Sequence, residues 1–187
     1  MDDRFSFTST GIHGVTEIKR RGFSDSRGSF TRLFCPDALE AIGWKGGVRQ
    51  INHSISAQTG TIRGMHYQSP PFCEAKIIMC LSGAVWDVAV DLREGSATYL
   101  QWTAAKLTPT DNNAFYIPAG CAHGFQTLES DTALIYIHDG EYAPRADAGI
   151  SPIDPRLNIK WPSPGRIMSQ KDQQLPLIGE DFRGLKI

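Results

Sequence analysis

The chain is 187 residues long, with 41% hydrophobic residues, enough for one well-buried domain over residues 1–187 and too short to favour two. Nineteen Lys and Arg against 20 Asp and Glu leave a net charge of -1, which supplies no field for drawing in nucleic acid or an anionic membrane surface. The acidic start Met1-Asp2-Asp3-Arg4 has no signal-peptide core, and no window approaches the ~18 apolar residues of a membrane span, so a cytoplasmic protein is expected. In chain order, Val15 to Arg20 and Gly28 to Phe34 read as short strands around a turn at Ser24-Asp25-Ser26-Arg27-Gly28, and Lys19-Arg20-Arg21 reads as a solvated edge. Pro36 to Ile42 has proline at its start and Gly43 after its end, the punctuation of a short helix. From Val48 onward the pattern is strand-like, over 48–55, 60–67, 75–81, 84–92, 99–107, 113–117, 122–128 and 132–138, divided by Gly, Pro, Asn or Asp clusters. Within 84–92, Trp86, Val88, Val90 and Leu92 alternate with a face containing Asp87 and Asp91, which carries carboxylates to the interior or to solvent.

Eight or more strands at this spacing predict an all-β, antiparallel sandwich or barrel, since closing the sheet removes exposed edges. The proline-rich tail (Pro144, Pro152, Pro155, Pro162, Pro164, Pro176) is expected to wrap the barrel as loops and short helical turns. Four cysteines, Cys35, Cys73, Cys80 and Cys121, contain no CxxC pair, which points to reduced thiols rather than a zinc or dithiol site.

The densest chemistry lies between Gln50 and Lys76, QINHSISAQTGTIRGMHYQSPPFCEAK, where a histidine, an arginine, a lysine and amides sit between turn signals. Polar residues at two-residue spacing, such as Gln50 and Asn52 with Arg63 across a strand pair, can share a face. Buried charge is costly without a partner or ligand, so a concave face of this kind is expected to hold something. His66 is the candidate base. Downstream, Ile117-Pro118-Ala119-Gly120-Cys121-Ala122-His123 has the P-x-G-x-x-H form found in cupins. A metal cupin would add an H-x-H pair and a glutamate, but this chain has His66-Tyr67-Gln68 with Glu74 beyond. His66 and His123 are left as the only strong ligands, and no metal or other cofactor is expected.

Several motifs in order make the resemblance specific: Asp25-x-Arg27-Gly28-x-Phe30, Gln50-Ile51-Asn52-x-Ser54-x-Ser56, Ile62-Arg63-Gly64-Met65-His66-Tyr67-Gln68-x-Pro70-Pro71, Asp87-Val88-Ala89-Val90-Asp91-Leu92-Arg93 and Ala122-His123-Gly124-Phe125. Tyr142-x-Pro144, Gly149-Ile150, Asp154-Pro155, Trp161-Pro162 and Ser169-x-Lys171-Asp172 continue the set. Together they resemble the dTDP-4-dehydrorhamnose 3,5-epimerase family over about residues 12–180. The resemblance implies a cupin jelly-roll barrel with short peripheral helices, acting as a homodimer and without a cofactor. It would invert carbons beside the ketone of a nucleotide-linked 4-keto-6-deoxyhexose, supplying deoxysugars such as rhamnose for polysaccharide or metabolite glycosylation. The C4 carbonyl acidifies the hydrogens on C3 and C5, so one group must take a proton and another return it from the opposite face. Between those events an enolate needs fixed donors around it.

By the same resemblance His66 is the proton acceptor, Asp172 the carboxylate that orients it, Tyr136 the proton donor, and Lys76 with His123 the oxyanion partners. Tyr142 matches an aromatic of the sugar pocket. Arg27, Gln50, Ile51, Asn52, Arg63 and Lys171 match substrate-binding positions, the cations being suited to a pyrophosphate. Asp147 stands where the family usually has a substrate-binding glutamate, a shortening that a water can span. Arg32 stands where the family commonly has a substrate-contacting glutamate, and turning an acceptor into a donor predicts CDP or GDP in place of dTDP, or inversion at a single carbon. Two competing readings are a metal-dependent cupin and a non-catalytic sugar-nucleotide binder.

Overall fold

A computed structural model describes residues 4–164 and 166–187; the first three residues of the acidic start lie outside the described residues. The elements run β1 (Phe5–Ser9), β2 (Thr16–Arg20), β3 (Phe23–Asp25), β4 (Gly28–Phe30), α1 (Pro36–Leu39) followed by a 3-10 turn at Glu40–Ile42, β5 (Gln50–Ser56), β6 (Ile62–Gln68), β7 (Lys76–Ser82), β8 (Val85–Asp91), β9 (Trp102–Leu107), β10 (Asn113–Ile117), β11 (Cys121–Thr127), β12 (Thr132–His138), β13 (Asp147–Gly149) and α2 (Gln170–Gln173). Two antiparallel sheets, β1-β2-β10-β7-β12-β5 and β13-β6-β11-β8-β9, form the jelly roll, with β3-β4 as a separate hairpin. Among the described residues no helix is long and apolar enough to cross a membrane.

Strand alternation sorts the side chains into three layers. Ile78 and Cys80 of β7, Val85 and Ala89 of β8, Phe115 and Ile117 of β10, Phe125 of β11 and Leu134 of β12 meet between the sheets. On the back of the first sheet, Ile77, Met79, Ala114, Tyr116 and Ile137 pack under α1 through Leu39 and Trp44. The proline-rich tail covers the second sheet, laying Ile150, Leu157, Ile159 and Ile178 on Met65, Val88, Val90 and Leu92. Parity therefore aims Lys76, Asp87, His123, Tyr136 and His138 into the interior, beyond the apolar part of the same faces.

Three expectations need correction. The predicted strand at Gly28 to Phe34 stops at Phe30, and the segment 23–25, assigned in part to a turn, is its hairpin partner. Arg20 is not part of a solvated edge: it is 7% exposed, and its guanidinium donates to the carbonyls of Asn112 and Asn113 at 3.1 and 2.8 Å. A cation in this setting is tolerable because backbone oxygens replace water, though burial still lowers its pKa to about 10. Of the two placements left open for the carboxylate face of β8, Asp87 and Asp91 both take the interior. Short β1 and β13 carry no strong alternation and were missed.

One irregularity places the site. In a regular strand, residues 63 and 66 have opposite parity and face opposite sides. Here Phe125 of β11 pairs with Arg63 while His123 pairs with His66, so β6 carries one residue more than its partner between these pairs. Two glycines permit the close approach. A Cβ on Gly64, whose φ is 119°, would lie 2.6 Å from Gly124 Cα, and a Cβ on Gly124 would lie 2.8 Å from Arg63 O. The bulge turns Arg63 and His66 to the same side.

Candidate active site

At the polar end of the interior is a cavity of about 290 Å³, walled by Asn52, Arg63, His66, Lys76, His123, Tyr136, Tyr142 and Asp147 among others. A neighbouring concavity shares Arg63 and His66 and adds Lys171 and Asp172. Both sheets contribute: His66 and His123 sit opposite each other on β6 and β11, and Tyr136 comes from β12 of the facing sheet, its ring edge-on to His123 at 5.9 Å between centroids.

His66 Nε2 is 2.7 Å from Asp172 Oδ1. The aspartate is presented by α2, whose N-cap Ser169 accepts from the Asp172 N–H and donates its hydroxyl to Asp172 Oδ2 at 2.9 Å. Burial pushes the Asp172 carboxyl up, but the hydrogen bonds from His66 and Ser169 outweigh it and leave the group below its ordinary value. An ionised Asp172 accepting the Nε2 proton leaves His66 Nδ1 with the lone pair. The His66 side chain is 37% exposed, so that nitrogen can be reached from the cavity.

Two further acid–imidazole pairs stand behind it. His123 Nε2 lies 3.1 and 3.0 Å from the two oxygens of Asp87. Burial dominates both members, lowering the histidine and raising the aspartate, with their mutual attraction opposing each shift. His138 Nδ1 lies 3.1 Å from Glu74 Oε1, which is also 3.4 Å from Lys76 Nζ. Gln68 Nε2 donates to the other Glu74 oxygen at 2.9 Å. Burial raises Glu74, yet His138 and Lys76 together hold it below its usual value. Tyr136 is raised by burial, the contact of its hydroxyl with Ser54 Oγ at 3.4 Å relieving only part of that.

The remaining expected residues divide. Asn52 and Arg63 line the cavity, with Arg63 steadied by Ser56 Oγ and Ile55 O, each at 3.2 Å. Asp147 accepts from Lys171 Nζ at 2.7 Å and from the Tyr142 hydroxyl at 3.3 Å, joining three expected contacts at the rim. Gln50 faces inward but donates to Gly140 O at 2.8 Å. Ile51, expected at a substrate-binding position, points to the opposite face and is 65% exposed, outside the lining of this chain's own cavity. Arg27 lies on the β3-β4 hairpin, gripping Asp25 at 2.6 Å, in a concavity of its own, and Arg32 follows the hairpin outside the cavity lining. Ser54, Gln68, Phe125 and His138 line the cavity but were not singled out; inner-face parity with Asn52, His66, His123 and Tyr136 was the available signal.

Among the described residues no group of three or more His, Cys, Asp or Glu is placed to hold a metal ion. His66 and His123 each turn Nε2 to a carboxylate, and Glu74 is engaged by Lys76, His138 and Gln68. This donor set does not fit the metal-cupin reading.

Comparison with known proteins gives one consistent answer. The family model described as dTDP-4-dehydrorhamnose 3,5-epimerase matches residues 9–180. A dTDP-4-dehydrorhamnose 3,5-epimerase of Sinorhizobium fredii is 39% identical over 179 residues, covering 95% of this chain and 92% of that one. A dTDP-4-dehydrorhamnose 3-epimerase of Streptomyces niveus is 39% identical over 171 residues, covering 91% and 82%. Among solved structures, the 3,5-epimerase of Legionella pneumophila in complex with dTDP-4-keto-L-rhamnose superposes with a TM-score of 0.88 at 35% identity, covering 92% of each chain.

Proposed function

This chain belongs to the dTDP-4-dehydrorhamnose 3,5-epimerase family and is an epimerase of nucleotide-linked sugars; from that premise we propose that His66 is its base and Tyr136 its acid. The substrate is a nucleotide-linked 4-keto-6-deoxyhexose whose sugar ring enters the cavity. His66 Nδ1 takes the proton from the carbon beside the ketone, and the electron pair moves into the C4 carbonyl to give an enolate. Asp172 steadies the imidazolium so formed. Lys76 faces the enolate oxygen as the fixed donor, with His123 held beside it by Asp87, in a setting where such a donor counts for more than in water. Tyr136 gives its proton to the same carbon from the other sheet, and the stereocentre is inverted. Arg63, Lys171 and the rim held by Asp147 receive the diphosphate.

One observation carries the assignment: His66, oriented by Asp172, and Tyr136 line a single cavity from opposite sheets. The test is incubation with dTDP-, CDP- and GDP-linked 4-keto-6-deoxyglucose in D2O, read by NMR at C3 and C5. Deuterium enters with the wild type and not with His66→Ala; incorporation by that variant at the wild-type rate would remove His66 as base. Because Arg32 replaces an acceptor by a donor, the nucleotide series also tests its effect: efficient turnover of the dTDP sugar at both carbons would show the replacement to be without consequence.

The functional unit is a homodimer of single-domain chains. Two features support this: β5 ends its sheet with an unpaired edge that exposes Ile51 and Ile55 at 65% and 60%, and Arg27, a substrate-binding position, lies outside the chain's own cavity. A second copy covers the first and gives the second a site to complete. Four free cysteines suit a reducing, cytoplasmic setting.

A further inference from the structure

Three imidazole–carboxylate pairs converge on this cavity, and the chemistry above uses two of them. The third, His138 with Glu74, has no task in proton transfer. His138 lies two residues from Tyr136 on the inward face of β12, and their rings stack with centroids 6.2 Å apart and planes 16° apart. Its Nδ1 faces Glu74 Oε1 at 3.1 Å, and the same oxygen faces Lys76 Nζ at 3.4 Å. The pair lacks the geometry of a hydrogen bond and leaves Nδ1 buried without a hydrogen-bond partner, but a carboxylate oxygen this close repels a lone pair there, so the proton sits on Nδ1 and Nε2 is left as an acceptor.

We propose that His138 Nε2 accepts a hydrogen bond from the C3 hydroxyl of the sugar and makes that hydroxyl a determinant of specificity. The inference rests on Lys76 facing the C4 oxygen. Lys76 and His138 meet at one oxygen of Glu74, so the sugar atoms they address are neighbours. In a 4-keto-6-deoxyhexose the carbons flanking C4 are C5, which carries a methyl group and the ring oxygen, and C3, which carries a hydroxyl. Only C3 offers an O–H beside the ketone. A site built to bond such a group discriminates strongly against an analogue that lacks it, because its own acceptor is then left unpaired.

The experiment compares wild type and His138→Phe on dTDP-4-keto-6-deoxyglucose and on its 3-deoxy analogue. Phenylalanine keeps a ring against Tyr136, so a purely structural His138 predicts equal behaviour on both substrates. The expected result is a KM for the parent sugar raised about tenfold, as for one net hydrogen bond, with kcat within about threefold. On the 3-deoxy analogue the two enzymes agree within about twofold. A variant that matches wild type on the parent, or loses equally on both sugars, overturns the proposal. Should His138→Phe fail to fold, 15N NMR of histidine-labelled wild type decides: the His138 Nε2 resonance moves with the parent sugar and not with the analogue, and identical shifts overturn it. His66→Ala, run alongside, keeps the two readings apart. Deuterium uptake by that variant strikes the base assignment, whereas an unaffected His138→Phe strikes only His138.

Discussion

A phenol that returns a proton to carbon must keep it until the enolate exists, and burial does this for Tyr136 by raising its pKa. The sign is simple: a raised phenol stays protonated through the whole working range. Tyr136→Phe is therefore expected to leave His66 able to remove a proton and replace it from the same face. Solvent deuterium then still enters the sugar, while inversion falls by about 10²–10⁴-fold; NMR separates the two, and unchanged inversion would rule out the tyrosine as acid. Asp172→Asn retains the shape but offers His66 a less basic partner, so kcat is expected to fall by about 100-fold or more with substrate binding kept, in line with general-base contributions. His66, His123 and Asp172 could be singled out because each sits in a quoted motif and Lys76 because it closes the dense stretch from Gln50, whereas Tyr136, alone in an apolar strand, came only from the family resemblance. His138 was not legible, because its partner Glu74 is 64 positions away and only the pairing of β7 with β12, Lys76 opposite His138, brings the two together. Ile51 falls outside the cavity for the converse reason: it adjoins two inward-facing amides, and adjacency on a strand means the opposite face.

At the level of elements, the bulge between β6 and β11 decides whether Arg63 and His66 share a side. Gly124→Ala would set a Cβ 2.5 Å from Met65 Sδ and 2.8 Å from Arg63 O, a backbone clash that no rotamer relieves. We expect about 1–3 kcal/mol of lost stability, the range for overpacking, together with slowed deuterium exchange, since any relief must move β6. Gly179→Ala is the control, because a Cβ there meets nothing within 4 Å. Urea unfolding of both variants checks this, and equal midpoints would show that the sheets have slack at the bulge. The bulge was invisible in the sequence, where Gly64 and Gly124 read as ordinary strand or turn residues until the register is known. The central strands were readable: 113–117 and 132–138 match β10 and β12, since apolar alternation bounded by turn residues survives into the structure. The hairpin at 23–30 was blurred because its strands are three residues each and exposed throughout, with no buried face to write a pattern.

Across the whole molecule, Asp91 ties together distant parts of the chain away from the cavity. Its carboxylate accepts from Arg93, Ser96 and Thr98 at 2.5–3.0 Å. Arg93 also donates to His13 O at 2.9 Å, and the flanking backbone bonds Leu185 near the other end, Glu94 N to Leu185 O at 2.9 Å. Burial opposes ionisation here, but these donors prevail and bring the pKa from 3.8 down to about 2. A carboxyl depressed in the fold contributes stability that is complete above its unfolded value and is lost as pH falls through its folded one, so Asp91 contributes about 2 kcal/mol at neutral pH. Glu74 and Asp172 act with the same sign. Asp87, raised by burial, acts with the opposite one. Asp91→Asn is accordingly expected to be destabilised at pH 6, and its deficit against wild type should shrink by about 1 kcal/mol by pH 3, where the unfolded carboxyl has largely taken up its proton. The variant's kcat at neutral pH should match wild type wherever it remains folded, because Asp91 is not among the residues lining the cavity. Denaturant titrations at the two pH values supply the measurement. A deficit that stays constant between them would mean that the Asp91 cluster acts through shape and not through charge.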